Sequence, residues 1–219
     1  MESKLLFIRW LASIVFWLGS VLYSSVPLFW FAIHPFAARW RRLRHSPYLW
    51  LLPLWAAAIS AVAWAAWPWH GQQLFSSLWG HAPAVIFFAV GLRIYRRAAS
   101  DFGARTFRGE PELRPAGHEQ RLITTGMHAR MRHPIYFAHL CNLAGCAFGS
   151  GLLVPFILLG ISALITFPLM IWLEERELEK RFGDQYHQYK KTVPLLPRFF
   201  MNKNPASGAP GLMGSRREV

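Results

Sequence analysis

Charged residues are scarce in this 219-residue sequence, and acidic residues are the scarcest of them. Only 16% of the residues are charged, with 11 Asp and Glu against 24 Lys and Arg, so the formal net charge is +13. Ordinary soluble domains carry about 25% charged residues. Hydrophobic residues make up 53% of the chain, which also contains eleven Trp. This composition argues against an ordinary soluble domain.

Cysteine is also rare, and several common catalytic signatures are missing. The two cysteines, Cys141 and Cys146, are five residues apart. Because that spacing does not bring two side chains together on a helix, we expect small buried side chains and no disulfide. The sequence has no glycine-rich dinucleotide loop, no His and Cys set at zinc spacing and no Gly-x-Ser-x-Gly. A Rossmann-type site, a metal centre and a serine hydrolase are therefore not expected.

The few charges are clustered, and three long stretches contain none. Runs of 29, 48 and 41 residues without Asp, Glu, Lys or Arg begin after Arg9, Arg44 and Arg132. A membrane-spanning helix needs about 20 apolar residues, so the first run holds one span and the other two hold a helical hairpin each. This pattern predicts an all-α integral membrane protein with membrane lipids, and no nucleic acid, as partners. The five predicted spans are 10–33, 48–67, 73–92, 134–150 and 153–173.

Basic clusters follow the first, third and fifth predicted spans. Odd-numbered crossings all end on one side, and the positive-inside rule makes that side the cytosol. We therefore expect a bacterial inner-membrane protein with its N-terminus outside, and its C-terminus and active site in the cytosol. Residues 1–90 would hold three spans, residues 91–200 the functional core, and residues 201–219, rich in Gly and Pro, a disordered tail.

The charged segment before the fourth predicted span ends in Arg132-His133-Pro134-Ile135-Tyr136. Pro134 suits the first turn of a helix, where its missing N–H is no loss. A helix start presents free backbone N–H groups and the positive end of the helix dipole, and Arg132 and His133 add hydrogen-bond donors. The pattern predicts a helix start that binds an anion.

A pair of carboxylates, Glu174 and Glu175, follows the fifth predicted span. Hairpin geometry brings this pair beside the start of the fourth span. Glutamate at a helix C-terminus opposes the helix dipole, so each carboxylate needs a partner. One possibility is a salt bridge to Arg93, Arg130 or Arg132. The other is a ligand with both a carboxylate and a cationic group, such as S-adenosylmethionine, and these residues alone leave both open.

The fifth span is predicted to continue as an amphipathic cytosolic helix. Leu178, Phe182, Tyr186 and Tyr189 fall on one helical face, and Gly183 interrupts the helix. That face is expected to fold back over the cytosolic end of the helical hairpin. The hairpin and this helix together would form the cofactor pocket.

In combination, these segments resemble a known family. The text Arg-His-Pro-x-Tyr at 132–136, then Glu174-Glu175, then Phe-Gly-x-x-Tyr-x-x-Tyr from Phe182 is similar to integral-membrane methyltransferases. That family includes isoprenylcysteine carboxyl methyltransferase and the phospholipid N-methyltransferases, and the similarity spans about 91–199. It implies S-adenosylmethionine as the methyl donor and a lipid or lipophilic small molecule as the acceptor.

The resemblance also implies roles for individual residues. Tyr136 and Arg93 would face the acceptor beside the sulfonium. Apart from the resemblance, an amine or thiol acceptor must lose a proton, and Tyr136, His128 or Glu175 could assist. The residues implied to bind the cofactor are His118, Leu122, Ile123, Gly126, Arg132, His133, Pro134, Glu174 and Glu175.

Two positions depart from the family's pattern. His128 stands where a tyrosine is frequent, and Met170 stands where the prenylcysteine enzymes carry an arginine that assists an acceptor carboxylate. Met170 counts against prenylcysteine as the acceptor and leaves a carboxylate, an amine or a thiol open. Two other functions remain open: an NADPH-dependent enzyme like the sterol reductases, and a non-catalytic lipid-binding protein. The oligomeric state is not predicted.

Overall fold

The computed structural model describes residues 2–43, 45–101, 113 and 121–197. The regular elements in these ranges are all helical, which confirms the predicted fold class. The predicted tail at 201–219 and His118 lie outside the described residues. Eight α-helices are α1 (Glu2–Ile33), α2 (Ala37–Trp40), α3 (Tyr48–Ala66), α4 (Ser77–Asp101), α5 (Pro134–Ser150), α6 (Leu153–Ile161), α7 (Phe167–Phe182) and α8 (Asp184–Thr192).

Among the described residues, three helical stretches are long and apolar enough to cross a membrane. They are Trp10–Trp40, Tyr48–Trp69 and Leu153–Phe182, at the positions of the first, second and fifth predicted spans. The third stretch joins α6 to α7 through a π-helical turn at Ser162–Thr166. Pro168 follows this turn and cannot donate a backbone hydrogen bond. The other two predicted spans correspond to α4 and α5, and the total of five remains a prediction.

The helix at the third predicted span does not have the predicted limits of 73 and 92. The helix begins at Ser77 and runs to Asp101, so it starts later and ends well beyond the predicted limits. The N–H of Leu74 donates to the carbonyl of Gly151 at 2.8 Å, and that of Leu153 donates to Gln72. The residues just before Ser77 therefore form hydrogen bonds with the turn between α5 and α6 and are not helical.

α5 lies at the centre of the bundle, and most of its side chains are buried. α4 packs closely along it: a Cβ on Gly91 would collide with Asn142, and a Cβ on Gly80 would collide with the backbone of Phe148. Small residues allow membrane helices this close approach. Both cysteines of α5 are buried and free, as predicted.

α8 covers one end of the bundle and closes the fold. Gly183, with φ of 52°, separates it from α7, which confirms the predicted break. Tyr186 and Tyr189 are buried and pack against Leu122, Leu178 and neighbouring apolar side chains. The predicted amphipathic face therefore folds back as expected. This arrangement brings the end of α7, the start of α5 and α8 together.

Large apolar side chains cover the outside of the bundle. Trp50 and Trp64 of α3 and Trp79 of α4 are 67%, 81% and 84% exposed. A soluble protein rarely presents so many large apolar groups to water. With the three long apolar helices, this surface indicates an integral membrane protein.

Candidate functional site

His133 is held between the two predicted carboxylates. Its Nδ1 lies 3.2 Å from Oε2 of Glu174, and its Nε2 lies 3.3 Å from Oε1 of Glu175. His133 immediately precedes α5, and Pro134 is the first residue of that helix, as predicted. Only the protonated imidazolium can donate from both ring nitrogens. The geometry therefore favours a charged His133.

The environment of His133 supports the same conclusion. Burial alone lowers the pKa of its imidazole, but the neighbouring carboxylates of Glu174 and Glu175 outweigh burial and raise the pKa to about 8. The side chain is 5% exposed. Near neutral pH the three groups therefore form one ionic cluster where the start of α5 meets the middle of α7.

Arg132 joins this cluster to α8. Its Nε donates to Oε1 of Glu175 at 2.8 Å, and its Nη1 donates to the carbonyl of Val193 at 2.8 Å. Lys190 of α8 lies 2.8 Å from the other oxygen of Glu175. Glu175 is thus held by His133, Arg132 and Lys190. The ion pair between Arg132 and Glu175 is one of the salt bridges that the sequence allowed for the carboxylate pair. Together with the hydrogen bond to Val193, it attaches α8 to the cluster.

Glu174 has a different position from its neighbour. Successive residues on a helix point about 100° apart, and only Glu174 lines a cavity of about 250 Å³ beside the cluster. Arg132, His133 and Pro134 line the same end of this cavity. The cavity therefore has a charged end built by four of the residues that the family resemblance implied.

Tyr136 forms the wall between the charged end and the rest of the cavity. Its ring stacks on His133 with centroids 5.5 Å apart and planes 6° apart, and its hydroxyl hydrogen-bonds to Glu174. On its other side it packs against Phe167 and Met170, which are fully buried. Met170 thus contributes apolar packing at the position where a prenylcysteine enzyme would have a cation.

The opposite end of the cavity is aromatic. Phe29 and Trp30 of α1, Trp55 of α3 and Tyr95 of α4 line it, together with His139 of α5. No sequence motif marks the four aromatic residues of this end. Trp and Phe recur along both faces of the first two apolar helices, so no periodic signal distinguished the rings that point inward.

Several of the residues that the resemblance assigns to the site are not among the described residues that line the cavity. Gly126 adopts φ of 59°, and a Cβ there would collide with the carboxylate of Asp101. Leu122 packs under α8. Ile123 is half-buried and Arg93 is exposed, and neither is among the described residues that line the cavity.

His128 lines the cavity from the segment before α5. It is 7% exposed, and its Nδ1 lies 3.8 Å from the carboxylate of Asp101. Burial lowers the pKa of His128 below its usual value, although Asp101 acts in the opposite direction. Tyr189 donates to the backbone carbonyl of His128 at 2.7 Å, which attaches this segment to α8.

Fold and site together define an all-α membrane protein with a cavity that is charged at one end and aromatic at the other. Residues 79–185 match the phospholipid methyltransferase family, in agreement with the resemblance drawn from the sequence. The protein-S-isoprenylcysteine O-methyltransferase of Schizosaccharomyces pombe is 36% identical to this chain over 73 residues. That alignment covers 33% of this chain and 31% of the relative. No solved structure matches the chain.

Proposed function

We propose that this protein is a membrane-embedded, S-adenosylmethionine-dependent methyltransferase whose acceptor is a lipid or a lipophilic small molecule. The observation that carries the proposal is the two-sided cavity, charged at Glu174 and His133 and aromatic at Trp30 and Trp55. A charged donor and a lipophilic acceptor have to meet in one place. The matched family and the yeast relative are both methyltransferases by name.

The charged end has the side-chain chemistry that the donor requires. Oε2 of Glu174 is buried and has no hydrogen bond of good geometry among the described residues, although it lies 3.2 Å from His133 Nδ1. Its lone pairs suit an ammonium group or ribose hydroxyls. Arg132 and His133 supply positive charge beside it for a carboxylate. The ring of Trp30, which lines the same cavity, attracts a sulfonium cation.

The residues of the chain would act mainly by position. S-adenosylmethionine, when bound, would supply a methyl group activated by its sulfonium charge for transfer to an aligned nucleophile, with the neutral thioether as the leaving group. His133 fixes the carboxylate of Glu174, and Tyr136 is fixed by stacking on His133. The rings of Trp30 and Trp55 keep water from the reacting atoms, and a dry site strengthens the electrostatic contacts within it.

An amine is the acceptor group that the aromatic end favours. Phe29, Trp55 and Tyr95 offer ring faces to the cation that methylation of an amine produces. A carboxylate acceptor would need a cation there, and the rings of Phe29, Trp55 and Tyr95 are uncharged. An amine must lose a proton before it attacks. His128 lines the cavity with a lowered pKa, so its neutral imidazole is a candidate base.

Labelling of host lipids tests the proposed reaction. Cells that overproduce the protein and receive methyl-labelled methionine should accumulate a labelled lipid with a methylated amine, detected by mass spectrometry. Cells that produce Glu174→Gln should lack it, whereas cells that produce Glu179→Gln, a variant at the Lys190 ion pair, should make it. Equal labelling with both variants would contradict the assignment of Glu174. A melting temperature raised by NADPH, and unchanged by S-adenosylmethionine, would favour the reductase alternative instead.

The proposal includes the predicted topology, with the charged end of the cavity in the cytosol and the N-terminus outside. Arg41, from the first basic cluster, lies 3.0 Å from Glu177 of α7, so this cluster lies at the same end of the bundle as Glu174. The positive-inside rule assigns that end to the cytosol. A reporter domain fused after residue 197, active only in the cytosol, should be active. Activity of a periplasm-specific reporter at that position would contradict the topology.

A further inference from the structure

A second pocket, of about 460 Å³, lies between the segment 34–41, which follows α1 and includes α2, and one face of α7. Four cationic side chains line it, and Glu177 is the carboxylate among its lining residues, so the formal charges of the lining sum to +3. Like charges held close together repel one another unless an anion lies among them. The four cations are Arg41, Arg176, Lys180 and Arg181.

Glu177 is fully engaged within the protein. Its Oε1 lies 3.0 Å from Nη2 of Arg41, and its Oε2 lies 2.9 Å from Nη2 of Arg181. No ion pair joins Arg176 or Lys180 to any residue that the structure describes. These two cations are one helical turn apart at the pocket. The carboxylate in the lining therefore does not neutralise them.

A buried histidine in the same pocket also lacks a hydrogen-bond partner. His34 is 5% exposed and stacks on Trp30 with ring centroids 5.1 Å apart. Neither of its ring nitrogens has a hydrogen-bond partner within the part of the chain that the structure describes. An unsatisfied buried polar group is costly. A ligand oxygen in this pocket would satisfy it.

Exposed aromatic residues beside the pocket indicate its depth in the membrane. Trp172 is 51% exposed, and the guanidinium of Arg176 lies 4.5 Å from its ring centroid. Phe36 is 44% exposed and carries Arg39 over its ring at 5.7 Å. Aromatic side chains with cationic neighbours are typical of the headgroup level. Leu169, 45% exposed and one turn before Trp172, continues an apolar surface suited to an acyl chain.

We propose that this pocket binds the phosphate group of an anionic membrane lipid. Guanidinium, ammonium and imidazole groups donate hydrogen bonds that phosphate oxygens accept. Arg176 and Lys180 would contact the phosphate directly, and His34 would donate from the wall of the pocket. Basic pockets between membrane helices bind anionic headgroups in this way. The site is separate from the cavity at Glu174 and does not depend on the methyltransferase proposal.

Binding of short-chain lipids to the purified protein in detergent tests this site. The probes are dioctanoyl phosphatidylglycerol, dioctanoyl phosphatidylcholine and inorganic phosphate, with native mass spectrometry and the melting temperature as readouts. Phosphatidylglycerol should bind the wild-type protein and raise its melting temperature more than phosphatidylcholine does. The double variant Arg176→Gln/Lys180→Gln should bind phosphatidylglycerol about 30-fold more weakly, because each cation near a headgroup contributes about a factor of five.

The matched control removes two cations from another helix. Arg96→Gln/Arg97→Gln changes exposed residues of α4 and should bind phosphatidylglycerol as the wild type does. Inorganic phosphate could raise the melting temperature as much as phosphatidylglycerol does, with the effect lost in the Arg176/Lys180 variant. That result would support a phosphate site and identify its occupant as the free anion. Equal lipid binding by the two double variants, or equal protection by phosphatidylcholine, would overturn the proposal.

Discussion

The two ends of the cavity are built in different ways. The charged end is made by residues close to a few sequence motifs, and each charged group there is held by another: His133 by Glu174 and Glu175, and Glu175 also by Arg132 and Lys190. The aromatic end is made by rings from three helices that carry no motif. The charged end is thus fixed by ion pairs between its own residues, whereas the aromatic end is formed by the packing of α1, α3 and α4.

The neighbouring glutamates show this difference on a smaller scale. Glu175 is directed towards α8 and joins Arg132 and Lys190 into the frame. Glu174 lines the cavity, and its Oε2 has no hydrogen bond of good geometry within the described part of the chain. We therefore expect substitutions around Glu175 to act on stability, and substitutions at Glu174 or the aromatic end to act on ligands.

Removing Arg132 should have the largest effect on stability. Arg132→Met leaves Glu175 with fewer cationic partners and breaks the hydrogen bond to Val193. Loss of one member of a buried ion pair typically costs about 3–5 kcal/mol. The melting temperature of the purified variant should fall steeply, whereas Arg130→Met, at an exposed position, should change it little. A similar small change for both variants would show that the charged end is not a scaffold.

Raising the pH should loosen the charged end through His133. The folded-state pKa of about 8 lies above the ordinary 6.5, so the stabilisation is complete below pH 6.5 and is lost as the pH rises through 8. A shift of this size corresponds to about 2 kcal/mol. Melting temperatures measured from pH 6 to 9 should fall for the wild type and for His187→Asn, an exposed histidine. His133→Asn should show a flatter curve, and a parallel curve would contradict the ion cluster.

The aromatic end should affect the acceptor and leave the donor unaffected. Trp55→Leu removes a ring from the cavity wall, and the loss of a cation–π contact and apolar area should weaken acceptor binding about tenfold. Trp50→Leu, on the same helix but 67% exposed, is the matched control. KM for the lipid acceptor should rise in Trp55→Leu alone, with the affinity for S-adenosylmethionine unchanged. An equal loss of donor affinity would mean that the two ends are not separate.

The smallest effect is expected at the contact between α8 and the segment before α5. Tyr189→Phe removes the hydrogen bond to the carbonyl of His128 and should cost about 1 kcal/mol. Tyr186→Phe is the matched control, because the buried hydroxyl of Tyr186 has no hydrogen-bond partner among the described residues and its removal should be neutral. Chemical denaturation of both variants measures the difference. Equal stabilities would show that this hydrogen bond does not secure α8.

Local chemistry made much of the charged end predictable. Pro134 can begin a helix but cannot continue one, so the start of α5 followed from one residue. Gly183 adopts a positive φ that other residues avoid, which placed the break before α8. The tyrosines of α8 repeat at helical spacing on a polar helix, so their burial followed from periodicity. The close approach of α5 and α7 followed from hairpin geometry.

The aromatic end was not predictable, because lipid removes the signal that identifies an interior face. In water a helix buries its apolar side, whereas a membrane helix is apolar all round. Trp55 lines the cavity and Trp50 faces outward, but the four residues between them are uniformly apolar. The separate roles of Glu174 and Glu175 also depended on where α8 packs. That position is set by long-range contacts such as the one between Arg132 and Val193.

Calorimetry with S-adenosylmethionine tests the central claim most directly. The purified wild-type protein and Glu179→Gln should bind the compound alike. Glu174→Gln, which removes a charged acceptor from the cavity, should bind it about 10- to 100-fold more weakly, as expected for the loss of a hydrogen bond to a charged group. Undiminished binding by Glu174→Gln, or no binding by the wild type, would contradict the account.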